Sequence, residues 1–274
     1  MKKILITGNS GYIGSHLSRM LEDSYEVYGL DVNAPQTDQL RDWYNVDIRR
    51  VFTIDVEFDA VVHLAALVNV GDSERNPSLY YNTNLTGTMN VLQGIKTQNF
   101  IFASTGAAQD CASAYGISKR AAEDVVHEYC TARNQQDYTT FRFYNVIGSS
   151  GFAPTNPDGL MYNLMRAKHT GEFTIFGTDY KTLDGTCFRD YVHVNEICDA
   201  LRTAIEKPSN QTECLGHGIG RSVRHIVELF KQVNNVEFQV KHGPRRKGDL
   251  AISVLDSVSP YMNNVYTLDE LLRF

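Results

Sequence analysis

Short apolar runs alternate with helix-spaced apolar positions through the first half of the chain. Residues 3–7 (KILIT) read as a strand, and Tyr12, Ile13, His16, Leu17, Met20 and Leu21 then recur with helical periodicity. Residues 26–31 form a second strand. The run AVVHLA at 60–65 is nearly continuous, as expected for a strand covered on both faces. The pattern predicts a helix over about 79–95, a strand over 100–104, a helix over about 113–131 and a strand over 140–146. Strands alternating with helices predict an α/β fold on a doubly wound parallel sheet.

Beyond residue 148 the pattern loosens, with Pro154, Pro157 and several glycines. A strand at 189–194 and a helix at 195–205 are predicted to return to the first sheet. Ser222 can cap a helix reaching about 233, and Thr267 and Glu270 have capping-box spacing before Leu271 and Leu272. The predicted organisation is a Rossmann-type nucleotide-binding domain at 1–148 plus about 186–206. A smaller, interleaved C-terminal lobe comprises 149–185 and 207–274.

A length of 274 residues suits one large domain or two intimate ones. The net charge of −6, with no long Lys/Arg run, argues against general nucleic-acid binding. No segment approaches the ~20 apolar residues that span a bilayer. After Met1-Lys2-Lys3 only Ile4-Leu5-Ile6 follows before polar residues, too little for a signal peptide. Cys111, Cys130, Cys187, Cys198 and Cys214 are scattered without C-x-x-C spacing, so they read as reduced thiols with no metal site. A cytoplasmic location is expected.

Gly8-Asn9-Ser10-Gly11-Tyr12-Ile13-Gly14 lies between the first strand and the first helix. Glycines allow a tight turn and a close backbone approach to a pyrophosphate, which the helix N-terminus attracts. The spacing is G-x-x-G-x-x-G, and its strand–turn–helix context strengthens it. Asp31 ends the second strand, where a carboxylate can accept hydrogen bonds from both ribose hydroxyls and repel a 2′-phosphate. NAD is therefore favoured over NADP. The bland alternative is a packing turn followed by a solvated Asp.

Tyr115 and Lys119 are four apart and share one helix face. With fifteen Tyr in the chain, such a pair can arise by accident and simply be solvated. A phenol of pKa ~10 is a poor base at neutral pH. A nearby ammonium and a positively charged nicotinamide both favour phenolate and are expected to lower that pKa.

With the glycine motif in place, ASTGAAQDCASAYGISK at 103–119 resembles the active site of the extended short-chain dehydrogenase/reductase family. The segment GTDYKTLDGTCFRDYVHV at 177–194 closely resembles the stretch that marks its UDP-glucose 4-epimerases. HLAALVNVGDS at 63–73, YYNTNLTGT at 80–88, RFYNVIG at 142–148 and PRRKGDL at 244–250 do so as well. There are departures: the connection from Thr105 to Tyr115 is much shorter than in familiar epimerases, and Val68 stands where they often carry Lys. The C-terminus also falls early, within what reads as the final helix.

The resemblance implies NAD-dependent 4-epimerisation of a UDP-hexose. Tyr115 would take the 4-hydroxyl proton while C4 gives hydride to NAD; the 4-keto sugar turns over and hydride returns to its other face. Lys119 would also hold the nicotinamide ribose. Thr105 resembles the residue that bonds the reacting sugar oxygen, with Ser104 as a further donor. Asp47 and Ile48 resemble the adenine-binding segment, and Leu64, Ala65 and Ala66 a turn beside the cofactor. Asn145 resembles a diphosphate contact, Arg189 and Arg246 phosphate-binding arginines, and Asp249 a carboxylate on a nucleotide ribose. Tyr191 and Phe176 resemble pocket walls. Surface ion pairing for the arginines and core packing for the aromatics are the alternatives. Ser253, where family members vary in size, implies room for a 2-N-acetyl group. Asn84 is expected to support the cofactor and catalytic helices and not to touch substrate, and His63 and His193 to be structural.

A nucleotide-sugar 4,6-dehydratase needs an Asp and a Glu directly after the Thr; Gly106 and Ala107 stand there. An epimerase of another UDP-sugar and a non-catalytic NAD-binding regulator stay open. Related enzymes pair through the helices at 79–95 and 113–131, so a homodimer is expected.

Overall fold

The seven strands of the main sheet follow the order Thr212–Leu215, β6, β5, β4, β1, β2, β3. Here β1 is Lys3–Thr7, β2 Glu26–Asp31, β3 Asp42–Asn45, β4 Ile54–His63, β5 Ile95–Thr105 and β6 Asp137–Phe143. The computed structural model describes residues 1–38, 40–133, 136–149, 151–262 and 266–273. β1 pairs in parallel with both β2 and β4, β2 with β3, and β4 with β5. Strand order reverses between β1 and β4, the switch point at which doubly wound sheets bind ligands. The Rossmann-type fold expected from the alternation is present.

Between the strands run α1 (Tyr12–Leu21), α2 (Val70–Arg75), α3 (Pro77–Tyr80), α4 (Gly87–Gly94), α5 (Ala107–Asp110) and α6 (Ala114–Glu128). Leu5, Leu30, Val61, Phe100 and Phe102 pack from the strands against Val91 and Leu92 of α4 and Ala122 and Val126 of α6. The final four residues of β4 are all buried, which explains its unbroken apolar run. The helix expected over 79–95 is broken by a π-helical turn at Tyr81–Thr86, and β5 begins already at Ile95.

The chain divides into two compact units, residues 1–142 with 198–213 and residues 143–197 with 214–274. In the second unit, β7 (Asn145–Ile147) and β9 (Phe188–His193) pair in parallel, while β8 (Glu172–Phe176) pairs in parallel with Gln239–Gly243. Gly220–Ser222 and Ile252–Ser253 flank β9. This corrects two expectations. The strand near 189–194 does not return to the first sheet; the helix Val194–Glu206 that follows it leads to the strand that does, Thr212–Leu215. The strand expected over 140–146 is two, β6 and β7, in different sheets. Hydrophobic content marks a strand but not the sheet that receives it.

Ile147, Leu164, Phe173, Tyr191, Ile226 and Phe230 form the core of this unit. Fully buried Asp190 braces it, accepting the N–H groups of His217 (3.0 Å), Gly218 (2.8 Å) and Leu255 (3.3 Å). Ser222 caps helix Val223–Asn234 through the N–H of His225, and Thr267 and Glu270 form the predicted capping box. Among the described residues no helix is long and apolar enough to cross a membrane.

Candidate active site

Gly8 turns the chain out of β1 at φ +74°, and its N–H donates to the Leu30 carbonyl at 2.8 Å. A Cβ there would lie 2.7 Å from the Ala65 nitrogen; one on Gly14 would lie 2.2 Å from the Gly8 oxygen. Both glycines are demanded by the chain's packing on itself. Gly11 differs, because its Cβ would meet only the Gly8 oxygen, at 3.2 Å. Its lack of a side chain bares the start of α1, where Tyr12, Ile13 and Gly14 present first-turn N–H groups. At the tip of β2 the Asp31 carboxylate accepts the N–H groups of Ser10 (3.2 Å) and Asn33 (2.9 Å). This bare helix start beside an anchored carboxylate fits a dinucleotide: pyrophosphate on the helix, ribose hydroxyls on Asp31.

The turn at Leu64, Ala65 and Ala66 is tied to β1, with Leu64 N–H on the Thr7 carbonyl and Ala65 N–H on the Thr7 hydroxyl. Asn84 accepts the Leu67 N–H at 2.9 Å and donates to both the Leu67 carbonyl and Ser118 Oγ, each at 3.0 Å. It thereby joins Leu67, just past the turn, to α6. Asp47 is gripped by the Arg49 guanidinium, which holds its carboxyl below the usual range. Ile48 packs beneath Gly87, and its carbonyl accepts from Asn90 Nδ2 at 2.7 Å. His63 lies between the hydroxyls of Thr7 and Thr88, and burial pushes its pKa down to about 3. His193 stacks on Tyr266 with ring centroids 3.9 Å apart.

Ser113 caps α6 by accepting the Gly116 N–H at 3.2 Å, which sets Tyr115 in the first turn. The phenol is buried, hydrogen-bonded to the Thr105 hydroxyl and edge-on to Tyr80. One turn on, Lys119 is buried with its Nζ 4.1 Å from the centre of the Phe102 ring. The lowering of the phenol pKa is expected from the ammonium and the nicotinamide together; among the protein's own groups burial dominates. Burial pushes Tyr115 up to about 12, against the opposing pull of Thr105. Burial likewise pushes Lys119 down to about 7, with Glu123 acting in the other direction. Desolvation is the largest influence on both because both groups are enclosed.

Ser104 also departs from expectation. Its hydroxyl donates to Glu123 Oε1 at 2.5 Å, so it is committed to α6 and not free as a sugar donor. The same carboxylate takes a two-pronged ion pair from Arg142, at 2.9 and 2.6 Å. Sequence reasoning passed over Glu123, although its place four residues past Lys119 was legible.

The short connection after Thr105 folds into α5. Thr105 Oγ1 accepts the Ala107 N–H at 3.3 Å, and α5 lies so close to α6 that a Cβ on Gly116 would come within 2.4 Å of the Ala107 oxygen.

In the second unit the remaining candidates draw together. Asp249 accepts from Arg246 Nε at 3.0 Å and lies 4.0 Å from the Arg189 guanidinium. Arg246 stacks over the half-exposed Phe176 ring at 5.1 Å. Ser253 is the register partner of Arg189, and Asn145 of Tyr191. Asn145 Nδ2 donates to the Asp190 carbonyl at 3.2 Å. Tyr191 belongs to the core, the packing alternative, while Phe176 is 40% exposed.

A putative UDP-arabinose 4-epimerase of Arabidopsis thaliana is 33% identical over 90% of this chain and 68% of its own length. The UDP-glucose 4-epimerase of Bacillus subtilis is 30% identical, covering 92% of this chain and 88% of that protein. The crystal structure of a UDP-glucose 4-epimerase from Stenotrophomonas maltophila, with bound NAD and formylated UDP-arabinopyranose, superposes with a TM-score of 0.85. It is 26% identical and covers 99% of this chain and 96% of that one. The model of the NAD dependent epimerase/dehydratase family matches residues 4–215. With its glycine cradle, Asp31 and the Tyr115–Lys119 helix in that span, the chain belongs to the NAD dependent epimerase/dehydratase family.

Proposed function

We propose that the protein interconverts UDP-glucose and UDP-galactose by NAD-dependent epimerisation at sugar C4, through a transient 4-keto sugar. The observation that carries this reading is the buried Tyr115 phenol bonded to Thr105, one helical turn from Lys119. NAD, bound over Gly8–Gly14 and Asp31, supplies the hydride acceptor and donor and a positive ring that favours phenolate. Tyr115 Oη takes the 4-hydroxyl proton and later returns it. Thr105 orients the phenol and the sugar oxygen, and the enclosure that raises the phenol pKa also keeps water from the keto sugar. Since the reaction has no net redox change, the cofactor need not leave.

Arg189 and Arg246 are suited to a diphosphate by their planar donor forks, Asp249 to a ribose hydroxyl, Asn145 to the diphosphate region and Phe176 to the nucleotide face. Ser253 leaves room for an N-acetyl group, so the N-acetylhexosamine pair is a further substrate. Similarity to UDP-arabinose 4-epimerases favours a second reading, the same C4 chemistry on a UDP-pentose. The family resemblance further supports a homodimer through the helices of 77–94 and 114–128. The five cysteines, all free, support a cytoplasmic location.

The test is to incubate the purified protein with UDP-galactose and follow the anomeric protons by NMR. Growth of UDP-glucose without added NAD is expected. Conversion of UDP-arabinose or UDP-xylose alone would move the assignment to the pentose, and no conversion of any UDP-sugar with NAD added would end the epimerase reading.

A further inference from the structure

Tyr115, Lys119 and Glu123 stand at steps of four along α6, so they form one stripe on one face. All three are buried, at 8%, 3% and 5% exposure. A carboxylate this enclosed is costly unless it is paired and hydrogen-bonded. Glu123 is both: Arg142 Nε and Nη2 reach its two oxygens at 2.9 and 2.6 Å, and Ser104 Oγ donates at 2.5 Å. Phe102 and Ser104, two apart on β5, therefore serve neighbouring members of the stripe, the ring under the amine and the hydroxyl on the carboxylate.

We propose that Glu123 is a positioning residue that keeps the active-site Lys119 cationic, its carboxylate held still by Ser104 and Arg142. The proposal rests on the epimerase reading for its catalytic meaning, though not for its physical content. Burial drives Lys119 towards the neutral amine, and Glu123 is the negative group that opposes it. Among the described residues, the other elements around α6 supply no substitute. His63 of β4 is neutral, and α4 carries no ionisable side chain. The π-helical turn offers only Tyr81, and α3 only Tyr80, which burial keeps protonated. On α2, Glu74 accepts the Ala114 N–H at the start of α6 and Asp72 is paired with Arg75 and bonded to Tyr80; Asp110 of α5 is exposed. Arg142 of β6 is a cation and works through Glu123.

The test uses full-length protein, as purified, with ¹³C-labelled lysine. The Lys119 Cε resonance, identified by its loss in Lys119→Met, is titrated by NMR. In Glu123→Gln, which keeps an acceptor for Ser104, the midpoint falls by about one pH unit or more, the size of a lost opposite charge nearby. The alkaline limb of the kcat/KM profile shifts with it, and Glu123→Asp restores both in part. Arg142→Gln leaves the carboxylate uncompensated and moves the midpoint upward, which covers the case in which Glu123→Gln does not fold. An unchanged midpoint in either variant, with only a lower melting temperature, overturns the proposal and leaves Glu123 as a structural partner of Arg142. The titration needs no turnover, so a failed epimerase assay does not touch it.

Discussion

Lys119 Nζ lies 4.1 Å from the centroid of the Phe102 ring, so the amine that serves the site rests on an aromatic face at the end of β5. A cation over a ring gains about 0.5–2 kcal/mol, and only the charged form gains it. Phe102→Leu is expected to make Lys119 lose its proton at lower pH. A pH–rate profile should show the alkaline fall in activity displaced towards acid.

The same amine links activity and stability with opposite signs. Folding lowers the Lys119 pKa from its ordinary 10.5 to about 7, so between those values the unfolded chain binds more protons. Stability gained from this group therefore rises with pH across that window, and the burial penalty is fully present below about 7. Activity runs the other way, falling as the charge is lost. Lys119→Met is expected to be inactive yet to melt at or above the wild-type temperature at pH 6, with that advantage shrinking by pH 9. Thermal denaturation at the two pH values checks it.

Tyr115→Phe removes the proton-transfer group while keeping the ring that meets Tyr80. The epimerisation rate is expected to fall by ~10²–10⁴ with an unchanged fold. Initial rates by NMR and a circular dichroism melt separate the two effects.

Gly116→Ala puts a methyl 2.4 Å from the Ala107 carbonyl oxygen, a backbone atom that cannot swing aside. Overpacking of this kind costs about 1–3 kcal/mol. Because α5 also holds Thr105 through the Ala107 N–H, kcat should fall together with the denaturant midpoint.

Arg246→Ala removes a charged donor next to Asp249 and Phe176. Hydrogen bonds to charged groups are worth about 1.5–3 kcal/mol, so KM for the UDP-sugar should rise about 10- to 100-fold with a smaller change in kcat. A kcat loss without a KM change would remove Arg246 from the substrate site.

The main sheet and its glycine turn were legible because buried parallel strands write unbroken apolar runs, as β1 and the second half of β4 do. β3 (DWYN) escaped notice because it is short and none of its residues is fully buried. The sheet membership of β7 and β9 was not readable, since pairing is decided by partners distant in sequence. At the site, the spacing of Tyr115 and Lys119 marked a pair that only the preceding glycine motif and the family resemblance made meaningful. The commitment of Ser104 and the direction of the Tyr115 shift were not legible, because both depend on what surrounds the side chain.

The π-helical turn at Tyr81–Thr86 carries one more residue than an α-turn would, and Asn84 sits inside it. Each residue of α-helix advances the side chains by ~100°, so deleting one residue there would restore ordinary winding and swing Asn84 off Leu67 and Ser118. The helix thus behaves like a key cut with one extra notch. Insertions or deletions of a single residue there would move the amide off its partners, so the length of this segment is fixed by the amide it must aim.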